Sequence, residues 1–117
     1  MIKGTGIDIV EIDRIKAAVK QFGKRFLERI YTPHEIAYCT KFNKLRYPEL
    51  SVRFAAKEAY AKALGTGMRG IYWTNIEVQN DKKGKPFLKI RNKTAKKTHL
   101  TLSHSQKYAV ASVVIES

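Results

Sequence analysis

Residues 1–14 open the chain with alternation: Ile7 and Ile9 fall on one side of an extended segment, and Gly6, Asp8 and Val10 on the other, which predicts a β-strand. The period then changes. Ile15, Val19 and Phe22 recur at helical spacing, Asp13 stands where it could cap that helix, and Gly23 predicts its break. Thr32-Pro33-His34-Glu35 combines a capping threonine, a proline in the first helical position and a glutamate in the third, opening a helix expected to run to about Lys41. A longer helix is expected from Pro48 or Glu49 to Leu64, with Gly65 as a left-handed cap. Strand patterns return at 71–79 and 87–90, on either side of a longish hairpin loop, and again at 100–102 and 108–115. The fold class implied is α+β, with helices packed on an antiparallel sheet in a single domain spanning residues 1–117.

The long helix is the most informative element. At about 100° per residue, Val52, Ala55, Ala56, Ala59, Tyr60, Ala63 and Leu64 share one apolar arc. Glu58 and Lys62 lie along one border of that arc and Arg53 and Lys57 along the other, so four ionisable groups rim a buried stripe. Gly65-Thr66-Gly67 then offers a flexible turn whose backbone N–H groups suit an anion. The pattern reads as a site for phosphates and a metal. Glu58 and Lys62 at i, i+4 also fit an ordinary surface ion pair, contributing about 0.3–0.5 kcal/mol.

Asp8 sits among branched apolar residues. It is either a partly exposed residue of an edge strand, or a buried carboxylate that needs a cation, a metal or several N–H donors.

Three segments together carry a family resemblance. Gly6-Ile7-Asp8-Ile9-Val10-Glu11-Ile12-Asp13-Arg14, the run from Arg53 to Gly67 with its Lys57-Glu58-Ala59, and Leu102-Ser103-His104-Ser105 resemble the holo-[acyl carrier protein] synthases, the short class of 4'-phosphopantetheinyl transferases. The motifs fall at the start, middle and end of the chain, so the resemblance spans its length.

The resemblance implies transfer of phosphopantetheine from coenzyme A to a serine of acyl carrier protein, leaving adenosine 3',5'-bisphosphate and supporting fatty acid biosynthesis. Asp8 and Glu58 match the family's ligands to Mg²⁺, a hard cation that takes one or two carboxylates together with phosphate oxygens and water. Lys62 matches a catalytic position near the phosphates. Glu58, acting directly or through a metal-held water, is the more economical base for the serine proton, and Lys62 remains an alternative. Arg53, Lys62, Gly65, Thr66 and His104 match positions around the nucleotide and its phosphates. The double-length class carries a further acidic residue two positions after the strand aspartate. Val10 stands there in this chain, so water rather than a third protein carboxylate is expected on the metal. Short members form homotrimers with the site between subunits.

Charge agrees with an acidic partner. The chain carries 23 Lys plus Arg against 10 Asp plus Glu, a net charge of +13. Nucleic acid is the default reading of such a balance, but it explains neither Asp8 nor Glu58, and no aromatic-rich RNA-binding motif is present, so no nucleic-acid partner is expected. Carrier proteins are acidic too. In the family the first helix meets the carrier protein, and Arg14, directly after the Asp8 strand, is the docking residue expected here. The second basic set, residues 82–97, lies around a turn, where charge more often serves solubility.

With 117 residues and no apolar run of about 18, no membrane contact is expected. Met1-Ile2-Lys3 leads straight into the first strand without a signal-peptide pattern, and a cytoplasmic location is expected. The single Cys39 reads as an inert helix thiol.

Overall fold

The computed structural model describes residues 1–117. Its first strand, β1 (Ile2–Glu11), is the edge of a three-stranded antiparallel sheet in the order β1-β8-β7, with β7 at Thr98–His104 and β8 at Tyr108–Glu116. Gly6 pairs with Val113, Asp8 with Ala111 and Val10 with Ala109. This row faces a long helix, here α4 (Tyr47–Leu64). The alternate row, with Ile7 and Ile9, points away from α4 and is exposed.

Two glycines set the distance between α4 and β1. A Cβ on Gly4 would lie 2.1 Å from the Ala63 carbonyl oxygen, and one on Gly6 would lie 1.9 Å from that of Ala59. No other residue fits there. With Ala55, Ala56, Ala59 and Ala63 as the helix's own contact surface, strand and helix backbones come nearly into touch, and polar side chains just beyond the glycines are brought together.

Three shorter helices cover the other side of α4: α1 (Ile12–Phe22), α2 (Lys24–Ile30) and α3 (Pro33–Tyr38). The capping box at Thr32 is formed in both directions, and Gly23 breaks α1 from α2 at φ 59°. Asp13 does not cap α1. The helix begins at Ile12, whose N–H donates to the Lys107 carbonyl at 2.9 Å, so β1 runs straight into α1 with Glu11 at the cap and no side-chain capping bond. The third helix also ends sooner than its pattern suggests. It stops at Tyr38, and a two-residue hairpin follows, β2 (Thr40–Lys41) with β3 (Lys44–Leu45), turning through Phe42 and Asn43 at positive φ. Cys39 is therefore the residue that closes the helix rather than a helix residue, though it is completely buried. The long helix starts at Tyr47, one or two residues before the expected Pro48 or Glu49, and is closed by Gly65 in the left-handed region, as its sequence predicts.

The remaining strands form a second antiparallel sheet of β4 (Ile76–Asn80), β5 (Pro86–Ile90) and β6 (Lys93–Thr94). The first half of the expected strand at 71–79 is instead an extended lead-in and a 3₁₀ turn at Trp73–Asn75. The helices-on-antiparallel-sheet architecture is the one expected. No helix is long and apolar enough to cross a membrane.

The largest departure concerns α4 itself. It packs against the sheet through Ala55, Ala59 and Ala63, and its opposite side closes over a second core of Ile15, Val19, Ile30, Tyr31, Cys39 and Leu50. Arg53 and Lys57 therefore do not rim a stripe; both are buried. Lys57 Nζ meets Glu35 Oε1 at 2.6 Å in a fully buried ion pair. Burial lowers the Lys57 pKa from its ordinary value, and the charge and hydrogen bond of Glu35 oppose that shift. Removing one partner of such a pair typically costs about 3–5 kcal/mol.

Candidate active site

The close approach enforced by Gly4 and Gly6 places Asp8 of β1 beside the border of α4 that carries Glu58 and Lys62. Lys62 Nζ donates to Asp8 Oδ1 at 3.1 Å and to the Ile7 carbonyl at 3.0 Å. Asp8 is thus both an edge-strand residue and a partnered one, with its side chain 16 % exposed against 53 % for Lys62. Glu58 has no basic partner within ion-pair distance. Its pKa is raised from the ordinary carboxylate value, first by burial and then by the Asp8 carboxylate, with Lys62 partly offsetting them. Two carboxylates lining one cleft, with a single lysine bonded to Asp8 and none to Glu58, make a site short of positive charge, which a divalent cation would supply. Among the acidic and histidine residues no third member joins them.

Asp8 and Glu58 open into a cleft of about 380 Å³, also lined by Val10, Arg14, Phe26 and Phe54, among others, with Lys62 outside the lining, bonded to Asp8. Arg14, the first basic residue of α1, is therefore on the wall of the same cleft. Two larger concavities, of about 610 and 740 Å³, flank α2, and neither holds a pair of carboxylates.

Arg53 and His104 lie elsewhere, in a separate cleft of about 230 Å³ together with Tyr38, Glu49, Asn80 and Ser103. Arg53 Nη2 donates to Asn80 Oδ1 at 3.0 Å, Nη1 donates to the Glu49 carbonyl at 3.2 Å, and the guanidinium sits over the Tyr38 ring at 4.2 Å. His104 Nε2 is 3.9 Å from Glu49 Oε1. The Arg46 guanidinium flanks the same tyrosine at 5.0 Å. One chain therefore does not bring Arg53 and His104 to the Asp8–Glu58 cleft; 140° of helix rotation separates Arg53 from Glu58, at about 100° per residue.

The turn after α4 also differs from its reading as a set of free donors. The Gly65 N–H is taken by the Lys62 carbonyl at 3.0 Å and that of Gly67 by the Ala61 carbonyl at 3.2 Å, both closing the helix end. Gly65 and Thr66 remain exposed beside Lys62.

Sequence reasoning missed Phe26 and Phe54, which wall the first cleft, and Tyr38, Glu49 and Asn80, which build the second. One signal was available for the buried side of α4: Ala61 lies about 160° around the helix from Ala59, so small residues point both ways.

A model of the 4'-phosphopantetheinyl transferase superfamily matches residues 4–113. The chain belongs to this family. Within it, the chain is similar to the holo-[acyl-carrier-protein] synthase of Halothermothrix orenii, 49 % identical over 99 % of this chain and 98 % of that one. It is also similar to that of Geobacter sulfurreducens, at 47 % over 99 % and 98 %. Among solved structures, the holo-[acyl-carrier-protein] synthase of Neisseria meningitidis superposes with a TM-score of 0.89 at 38 % identity, covering all of both chains. The synthase of Bacillus anthracis, solved in complex with CoA (3',5'-ADP), superposes with a TM-score of 0.83 at 43 % identity, covering 100 % of this chain and 98 % of that one. These phosphopantetheinyl transferases share the helix-on-sheet arrangement that sets Asp8 against α4 here.

Proposed function

We propose that this protein is a holo-[acyl carrier protein] synthase, which transfers 4'-phosphopantetheine from coenzyme A to a serine of apo acyl carrier protein in support of fatty acid biosynthesis. The observation that carries this reading is the meeting of Asp8, Glu58 and Lys62 at the glycine-enforced junction of β1 and α4, in a chain of this family.

The serine oxygen attacks the phosphorus bearing the pantetheine arm. A new P–O bond forms, the bond to the bridging oxygen of the pyrophosphate breaks, and adenosine 3',5'-bisphosphate leaves with the electron pair. Glu58, which lines the cleft and has no basic partner, receives the serine proton directly or through a metal-held water, whereas Lys62 Nζ is engaged by Asp8 and the Ile7 carbonyl. Lys62 instead stabilises charge on the leaving phosphate. Asp8 and Glu58 are suited to hold Mg²⁺, which when bound neutralises phosphate charge during the displacement.

The second cleft, with Arg53 and His104, binds the nucleotide end of coenzyme A across a subunit boundary, and Gly65 and Thr66 border the phosphates. This assignment is supported by the separation of the two clefts within one chain and by the outer sheet face, where Ile7 and Ile9 are 63 % and 62 % exposed beside Val110 and Val114. An apolar row of that kind fits burial against copies of the chain, and a homotrimer is the assembly proposed. Arg14 docks the acidic carrier protein at the mouth of the first cleft.

The test is release of adenosine 3',5'-bisphosphate in the presence of coenzyme A, Mg²⁺ and apo carrier protein. Arg14→Glu should raise KM for the carrier protein far more than KM for coenzyme A, with the effect shrinking as salt is added. Absence of bisphosphate release by the wild type would contradict the reading, and equal KM values for the carrier protein would remove Arg14 from the docking surface.

A further inference from the structure

Lys57 and Glu35 are completely buried, and neither lines the cleft that holds their neighbour Glu58. Lys57 Nζ donates to Glu35 Oε1 at 2.6 Å, to the Ile30 carbonyl at 2.7 Å and to the Trp73 carbonyl at 3.1 Å. An ammonium has three protons, so every donor is used. Glu35 in turn accepts from the Thr32 N–H at 3.0 Å and, through Oε2, from the Val78 N–H at 2.8 Å. One ion pair thus ties the end of α2, the start of α3, the 3₁₀ turn and β4 to the middle of α4.

Two of those ties lead to the cleft. The Trp73 ring stacks on Phe54, with centroids 5.0 Å apart and planes at 19°. Tyr31, next to Ile30, packs edge-on against Phe26 at 6.3 Å and 70°. Phe54 and Phe26 both line the cleft with Asp8, Arg14 and Glu58. Packing alone does not call for ions here, since apolar groups of similar volume usually stabilise a core at least as well as a buried ion pair. What the pair adds is direction, because each bond fixes one backbone group.

We infer that Lys57 and Glu35 are positioning residues for the transfer reaction: by holding the main chain at Trp73 and at Ile30–Tyr31, they set the aromatic walls Phe54 and Phe26 that face Asp8 and Glu58. The inference rests on reading that cleft as the site of phosphopantetheine transfer. Its consequence is kinetic, since a displacement of about 1 Å among reacting groups can slow a reaction about 10²-fold.

Trp73 is the sole tryptophan, so its emission and near-ultraviolet dichroism report the stack that backs Phe54. Lys57→Gln keeps two donors on a shorter side chain but removes the charge and at least one of the three bonds, and Phe54→Ala removes the wall while leaving the pair intact. Well below the unfolding temperature, Lys57→Gln should retain its far-ultraviolet dichroism, shift the Trp73 signals, and lower kcat about 10-fold or more with a smaller change in KM for coenzyme A. Phe54→Ala should also lower kcat, and the double variant should be no slower than the slower single, because both changes disable the same wall. An unchanged Trp73 signal with wild-type kcat, or a double variant whose loss is the product of the two single losses, would overturn the inference. If Lys57→Gln does not fold, Glu35→Gln, which keeps an acceptor for Lys57, is read in the same way. A wild type that transfers nothing would defeat the functional reading instead, and the Trp73 signal would still judge the link between the pair and the wall.

Discussion

Lys62 Nζ lies 3.1 Å from Asp8 Oδ1, joining a strand residue to a helix residue 54 positions away. The lysine is more than half exposed, so the bond contributes at most about 1 kcal/mol to stability. Its importance is chemical. Lys62→Met should unfold within about 1 kcal/mol of the wild type in a denaturant titration, yet lose transfer activity by about 10²-fold or more, as expected when a charged group stabilising a leaving phosphate is removed. A variant that turned over normally would remove Lys62 from the reaction.

Gly6 makes that meeting possible. Gly6→Ala would place a methyl carbon 1.9 Å from the Ala59 carbonyl oxygen, and neither backbone can yield without separating β1 from α4. We expect a loss of about 3 kcal/mol or more in chemical denaturation, together with loss of transfer. Gly84→Ala is the control: its Cβ meets nothing within 4 Å, and only its φ of +89° opposes the change, at about 1–2 kcal/mol. Equal effects at the two positions would contradict the close-packing argument.

Much of this was legible in the chain. The alternation around Asp8, the capping box at Thr32 and the glycine after Leu64 each state a local preference that the fold obeys. Arg53 and Lys57 were not legible, because whether a basic residue at a stripe's border meets water depends on what packs against the far side of the helix. Their partners, Asn80 and Glu35, lie 27 and 22 residues away, and the local pattern at neither position, not even the capping box that contains Glu35, signals the pairing. The second cleft was hidden for the same reason. His104 and Arg53 share a motif-level association with Glu58, but the distance between the two clefts is a property of α4's rotation against both cores. Asp13 failed as a cap because the helix starts before it, at Ile12 with Glu11 at the cap, which puts Asp13 inside the first turn.

The exposed row on β1 bears on assembly. Ile7→Lys with Ile9→Lys should leave the chain folded, because neither side chain faces α4, and should convert a trimer to monomers in light scattering while abolishing transfer. Mixing Asp8→Ala with His104→Ala should restore part of the activity if each intact cleft pairs with its counterpart on a neighbour. A fully active wild-type monomer would contradict this account of the outer face.

Cys39 gives a pH-dependent signature. Burial, the largest cause, pushes its thiol from an ordinary 9.0 up to about 12, against the lowering effect of Arg53. The native thiol should therefore resist alkylation at pH 8 and react only on unfolding. As pH rises from about 9 to about 12 the unfolded chain loses this proton while the folded chain keeps it, so Cys39 makes stability fall with pH over that window. Cys39→Ala should flatten that part of the stability profile; an equally steep fall in the variant would assign it to another group.

The claim that Asp8 and Glu58 form the centre of a phosphopantetheinyl transferase is tested most directly by the intact mass of an apo acyl carrier protein after incubation with coenzyme A, Mg²⁺ and this protein. With the wild type, the carrier should gain the mass of one phosphopantetheine group on its serine. With Asp8→Ala or Glu58→Ala, each folded by circular dichroism, it should gain none. A carrier protein left unmodified by the wild type, or modified at a near-normal rate by either variant at saturating Mg²⁺, would contradict the account.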